Sequence, residues 1–346
     1  MWRIAAIALG VVTLGFSAAP STSDSRRCTA HWQVLARPSA HLNAVAVLSP
    51  TDVWAVGWTG TWPDTRAVIA HWDGARLEVT PHPEVSRLFG VAGVSPTDVW
   101  AVGETDSAVI EHWDGVQWQR SSTPSGVSSL SDIVMQSSTS GWAVGASADG
   151  RPLAMRWDGS SWRRMVFLRS GKAGQFTALA ATSAKDVWAM GFGGNSGSIN
   201  FQGGIVVHWN GRAWRFVRAP TRDDSDLGYE TFNSFDDAAA VSPSAAWAIH
   251  SGMVRSDIQR WNGRRWHIVR VFPPRDALFG VIAFQRQAWA LGRRRGHPLL
   301  LHWNGKTWRV SGRRLTSLRG DLVAASSLSP RMIWAGGSKV FARYAC

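Results

Sequence analysis

One pattern recurs seven times along the chain and constrains the fold more than any other feature. Its first half reads LNAVAVLSPTDVWAVG from Leu42, LFGVAGVSPTDVWAVG from Leu88, LSDIVMQSSTSGWAVG from Leu130 and FTALAATSAKDVWAMG from Phe176. It returns as FDDAAAVSPSAAWAIH from Phe235, LFGVIAFQRQAWALG from Leu278 and LVAASSLSPRMIWAGG from Leu322. The signature residues are Trp54, Trp100, Trp142, Trp188, Trp247, Trp289 and Trp334, spaced by 46, 42, 46, 59, 42 and 45 positions. Self-similarity at this period is the mark of a propeller blade.

The second half follows as AVIAHWDGARL, AVIEHWDGVQW, LAMRWDGSSW, IVVHWNGRAW, DIQRWNGRRW and LLLHWNGKTW. Each is an apolar run, a tryptophan and an Asp-Gly or Asn-Gly pair, usually with a second tryptophan. Asx-Gly between strand-forming residues signals a hairpin, because its turn residues must tolerate positive φ. Each unit therefore predicts strand a, a tight turn, strand b, a variable loop, strand c, an Asx-Gly turn and strand d. A two-residue turn at Asp114-Gly115 pairs Trp113 with Val116 and Glu111 with Trp118; a four-residue turn pairs Trp113 with Trp118. Both put the two tryptophans on one face. A tryptophan buries about 150–250 Å², and a lone four-stranded blade cannot hide the 22 in this chain, whereas stacked blades can.

The seventh unit is cut short: SKVFARYAC supplies strand c with Tyr344 in the tryptophan slot, and the sequence stops. The matching strand d is CTAHWQVLARPSA, Cys28 to Ala40, with Trp32 in the aromatic slot. Against HWDGVQW, Cys346 falls on the Gly position and Cys28 on the Asp position. The expectation is an all-β, seven-bladed β-propeller of four-stranded blades, its last blade closed by the N-terminal strand and a Cys28–Cys346 disulfide. Closing a 318-residue loop contributes about 5 to 6 kcal/mol in the loop-entropy account, less any strain. Two unrelated cysteines, or an intermolecular bridge, are the competing readings.

Ahead of the repeats, Ile4 to Phe16 is an uncharged apolar run after Arg3, followed by Ser17, Ala18 and Ala19. That layout predicts a secretory signal peptide over 1–19, a short linker over 20–27 and the propeller over 28–346, with the protein secreted. The run is short for a membrane span, and no later segment is long and apolar enough to make one. An uncleaved anchor is the weaker alternative.

These units resemble the secreted, tryptophan-rich propeller repeats of bacteria, similar in architecture to kelch and galactose-oxidase-type propellers. The resemblance implies seven blades and a ligand face, but no substrate. The Gly-Gly pair and spaced Tyr and Trp of kelch repeats are missing. A radical copper site is disfavoured because it needs a cross-linked Tyr and Cys, and both cysteines are assigned to the closure.

Tight a–b and c–d turns lie on one face of a propeller, and the d–a crossings and b–c loops on the other. Only the second set varies here, so a site is expected there. Trp58 and Trp62, in the blade 1 loop, are the tryptophans of the mature chain outside repeat slots, suited to sugar rings or apolar ligands unless they pack under their own loop. The glycine-rich blade 4 loop, Gly191 to Gly204, holds Phe192 and Asn195; it lacks full G-x-G-x-x-G spacing and precedes a strand, so a ligand rim is expected rather than a phosphate cradle. The crossing into blade 5 gathers Tyr229 with Asp223, Asp224, Asp226, Glu230, Asp236 and Asp237, but the acid a calcium loop needs before Gly228 is missing. Blade 6 places Arg293, Arg294 and Arg295 on the same face.

Charge is lopsided: up to residue 204, 15 Lys and Arg balance 15 Asp and Glu, and afterwards 22 face 9, so blades five to seven carry the full +13. An anionic wall polymer would suit that excess, although arginine-rich coding would produce it too. His71, His112, His208 and His302 share one repeat slot with Arg156 and Arg260, so a structural role is expected. No metal, cofactor or nucleophile motif is found, and export without a recognised binding module disfavours nucleic acid. The expectation is a monomeric, non-catalytic scaffold binding an extracellular glycan, an anionic wall polymer or a protein, with Trp58, Trp62, Phe192, Asn195, Tyr229 and Arg293 to Arg295 as candidate contacts. The alternative is a glycosidase or lyase using Glu104, Asp106, Asp149 or the Asp223 insertion.

Overall fold

The computed structural model describes residues 31–165, 173–194, 202–221, 233–252, 254–312, 315 and 317–345. Seven antiparallel four-stranded sheets account for all the strands among them. Blade 1 is β2 (His41–Ser49), β3 (Asp52–Thr59), β4 (Arg66–Trp72) and β5 (Leu77–Val79). Blade 2 runs from β6 (Arg87–Ser95) to β9 (Trp118–Arg120), blade 3 from β10 (Val127–Ser137) to β13 (Trp162–Met165), and blade 4 from β14 (Ala173–Ser183) to β17 (Trp214–Phe216). Blade 5 runs from β18 (Asn233–Ser242) to β21 (Trp266–Val271), and blade 6 from β22 (Asp276–Ala283) to β25 (Trp308–Val310).

Blade 7 is β26 (Ala324–Ser329), β27 (Met332–Gly337), β28 (Val340–Ala345) and, as its outer strand, β1 (His31–Ala36). Trp32 pairs with Tyr344 and His31 with Ala345, the register expected if the two ends replace one hairpin. The cysteines and the segment 1–27 lie outside the described residues. No helix among the described residues is long and apolar enough to cross a membrane.

The Asx-Gly turn is the four-residue form. Trp113 pairs with Trp118, Asp114 Oδ1 accepts the N–H groups of Val116 and Gln117 at 2.8 and 2.9 Å, and Gly115 sits at φ +96°. Those backbone donors hold the carboxyls of Asp73 and Asp114 below the usual range and bring Asp158 down to about 2.

Between blades, the strand b tryptophan of one sheet inserts under the strand c and d tryptophans of the next. Trp54 lies 5.1 Å from Trp113 and 5.3 Å edge-on to Trp118; Trp100, Trp142, Trp188 and Trp247 repeat the contact. Trp289 meets Tyr344 and Trp32, so β1 supplies half of the blade 6 to blade 7 interlock, and Trp334 joins Trp72 and Leu77 of blade 1 in one cluster. The slot before the strand c tryptophan covers the other side of the strand b ring. Histidines stack there at 4.1 to 4.2 Å in four blades, and Arg156, Arg260 and Arg343 take the place in the others.

The glycine closing each WAVG-type run also has a steric cause. A Cβ on Gly57 would stand 1.7 Å from the His41 carbonyl oxygen, and one on Gly103 2.0 Å from that of Arg87. Blade 5 breaks this rule with His250, which is fully buried and bonded through Nδ1 to Asp257 at 2.9 Å.

Candidate functional site

Strand a of blades 1 to 6 carries the same irregularity near its start. Pairing with strand b skips Asn43, Phe89, Ser131, Thr177, Asp236 and Phe279 in blades 1 to 6. A bulge re-aims the extra side chain. These six residues, joined by Val323 of blade 7, line one cavity of about 180 Å³. Strand a is innermost in each sheet and begins at the d–a crossing, so the cavity opens toward the variable face.

Two carboxyls in the next position bind blade to blade. Asp132 accepts the N–H of Ile133 and, across to blade 4, that of Leu179, both at 2.7 Å. Asp237 accepts the N–H of Ala238 at 2.8 Å and, across to blade 6, that of Val281 at 2.7 Å. The corresponding residues of blades 4 and 6 are Ala178 and Gly280, too small to obstruct the reach. Burial pushes Asp132 up to about 7 against its backbone donors. Asp237 is raised well above the usual carboxylate range, first by burial and then by Asp132 and Asp236, against its backbone donors. Burial also raises Asp236 to about 6, opposed by hydroxyls of Ser251 and Ser234 and by His250. The carboxyls meet only the narrow cavity, which supplies too little solvent to support three close anions.

An aromatic path leads from this cavity to the surface. Phe89 lies 6.0 Å edge-on to Trp58, whose other neighbour is the stacked ring of His41 at 5.7 Å. His41 Nδ1 reaches Ser338 Oγ of blade 7 at 2.7 Å. The Arg87 guanidinium lies 4.9 Å from the Trp62 ring and 5.5 Å from Phe89, and its charge is met by Glu104. Trp58 is half-buried, and Trp62 is 72% exposed.

The other sequence candidates are spread around the ring. Phe192 is half-buried in blade 4; Asn195, Tyr229, Asp223, Asp224, Asp226 and Glu230 lie outside the described residues. Arg294 is bound by Asp276 at 2.8 and 2.5 Å, while Arg293 and Arg295 are exposed. Glu104 pairs with Arg87, and Asp149 with Ser147 and Arg151. Thus the blade 2 and 3 loop acids that make contacts make them within their own blades, and the acids that converge are Asp132, Asp236 and Asp237. No group of three or more His, Cys, Asp or Glu among the described residues has metal-site geometry.

Sequence reasoning passed over Asn43, Phe89, Asp132 and Phe279. Their signal is present in the aligned repeat: after a constant large apolar residue (Leu or Phe), the second position changes from Asn to Phe, Ser, Thr, Asp, Phe and Val, and the third is Ala or Gly except where it is Asp132 or Asp237.

No protein-family model and no curated protein matches the chain. Solved structures match over most of its length. YCF48 bound to a D1 peptide superposes with a TM-score of 0.63 at 16% identity, covering 91% of this chain and 97% of that one. The WD40 propeller domain of Doa1 gives 0.62 at 12%, covering 90% and 96%. A streptogramin B lyase gives 0.62 at 10%, covering 91% and 97%. At such identities the likeness is one of fold, that of a seven-bladed propeller.

Proposed function

We propose that the protein is an exported, non-catalytic binding scaffold that takes a partner polypeptide on the face carrying the d–a crossings and b–c loops. One observation carries this reading: Trp62, 72% exposed, is held by the Arg87 guanidinium, which also lies over Phe89, a wall of the axial cavity. An exposed ring that is already positioned loses little freedom on binding. The YCF48 structure, with its bound D1 peptide, supports the reading as a likeness of fold. Export rests on the apolar run Ile4 to Phe16.

A glycan is the second reading, favoured by the open ring of Trp62 beside an arginine. For a glycosidase or lyase, the cavity of about 180 Å³ is small against the roughly 300–1,000 Å³ of ligand pockets.

Purified protein applied to arrays of random twelve-residue peptides and of oligosaccharides separates these readings. Peptide hits weakened at least about tenfold by Trp62→Ala, with unchanged melting temperature, are expected. Hits confined to sugars would replace the peptide by the glycan reading. Binding indifferent to Trp62→Ala would overturn the proposed face.

A further inference from the structure

Resting on the reading above, we propose that the axial cavity is the specificity pocket of that face and accepts a basic side chain, arginine or lysine, of the bound polypeptide. The Arg87 guanidinium joins the exposed ring of Trp62 to Phe89, which is itself a cavity wall and lies edge-on to Trp58. The space fits the end of one long side chain. Phe89 and Phe279 line the cavity with ring surface for a flat cation, and Asp236 is the carboxyl that gives up its proton to solvent to pair with it, Asp132 and Asp237 being committed to backbone N–H groups. No Lys, Arg or His lines this cavity, and the nearby Arg87 is paired with Glu104.

Asp236 separates a recognition pocket from a merely structural acid layer. Asp132 and Asp237 have a role in the ring itself, since each accepts a neighbouring blade's N–H. Asp236 occupies the aligned, cavity-lining position that the six other blades fill with Asn43, Phe89, Ser131, Thr177, Phe279 and Val323. The ring therefore closes with neutral side chains there. A carboxyl at that point is met by the hydroxyls of Ser251 and Ser234 and by His250 of its own blade, yet burial still holds it above the usual range, and an entering cation offsets that burial. Phe89 and Phe279, in the same slot of blades 2 and 6, add the apolar walls that a guanidinium or an alkyl ammonium packs against.

The probes are N-acetyl-arginine methylamide and its neutral isostere N-acetyl-citrulline methylamide, with the corresponding lysine and norleucine pair, titrated into the protein by NMR. The cationic member of each pair is expected to bind at least about tenfold more tightly. Asp236→Asn should bring each pair to parity, and Asp236→Ser, which copies Ser131, serves if the first variant fails to fold. Phe279→Leu should cut the arginine preference several-fold while keeping an apolar wall. Equal binding of arginine and citrulline amides, or a preference that survives at Asp236→Asn, overturns the proposal. Peptide hits that depend on Trp62 but ignore replacement of arginine by citrulline overturn it too, while leaving the proposed face intact. Arginine amide binding without any peptide hit does the reverse.

Discussion

Asp132 shows how one side chain serves a ring. Its carboxyl bridges strand a of blade 3 to the Leu179 N–H of blade 4, at the radius where neighbouring blades are closest. Asp132→Ala leaves that N–H without its acceptor and should cost about 1–3 kcal/mol; Asp132→Asn, which keeps one carbonyl oxygen, should cost less. The same residue makes stability depend on pH. Its folded value of about 7 stands above the roughly 3.9 of an unfolded aspartate, so the native state holds the proton more tightly. The resulting stabilisation is full below about pH 4 and is lost as pH rises through about 7. Asp236, at about 6, acts with the same sign. Burial alone would lower His82, but the hydrogen bond and charge of Glu111 leave it raised, so its contribution also fades as pH climbs past its folded value. The turn aspartates Asp73, Asp114 and Asp158 are lowered and act oppositely, their contribution disappearing only in stronger acid. Calorimetry should therefore show the melting temperature falling between about pH 5 and 8, with a flatter slope for the Asp132→Asn, Asp236→Asn double variant. An unchanged slope would mean that the cavity carboxyls titrate normally.

At the scale of the element, the blade is a four-stranded sheet whose tryptophans need the next sheet to cover them, and β1 is the strand that lets the seventh blade meet this need. Trp32 is buried among Trp289, Leu291, Leu300, Leu315 and Ile333 and touches the rings of Trp289 and Tyr344. Trp32→Ala should cost about 3–5 kcal/mol, read as a lower urea midpoint at unchanged slope. A reductant should lower the midpoint of the parent protein and leave a Cys28→Ser variant unaffected; a parent indifferent to reductant would remove the disulfide from the closure. Much of this was legible from residues alone, because period, Asx-Gly pairs and the stranded Trp32 and Tyr344 are local signals that seven copies reinforce. Turn length was not, since both turn forms put Trp113 and Trp118 on one face. Nor was the cavity. It depends on a bulge at one residue of strand a in six blades, and a bulge leaves no compositional trace in a single unit. Loop composition drew attention to Arg294, which Asp276 holds, while Asp132 sat unnoticed in a strand.

For the whole molecule, the ring has no natural first blade. Charge follows the chain, with the +13 carried by blades five to seven, whereas the cavity acids come from blades 3 and 5 and meet at the axis. A partner approaching the variable face therefore meets exposed Arg293 and Arg295 at the rim and carboxyls at the centre, an arrangement that orients a polypeptide carrying acidic flanks around a basic residue. Closure is equally indifferent to where the chain starts. Because Trp32 pairs with Tyr344 as Trp118 pairs with Trp113, joining residue 346 directly to Ala30 leaves four residues between the two rings, the length of the other c–d turns. With Ala345→Asn and Cys346→Gly to supply the Asx-Gly pair, and new ends cut between Thr123 and Pro124 in the crossing from blade 2 to blade 3, the permuted chain should fold to the same ring. Its melting temperature should be insensitive to reductant, and its affinity for the peptides selected by the parent should be unchanged. Such a permutant keeps every interlock of tryptophans and every bulge facing the axis, so loss of folding would show that the native ends do more than replace one hairpin.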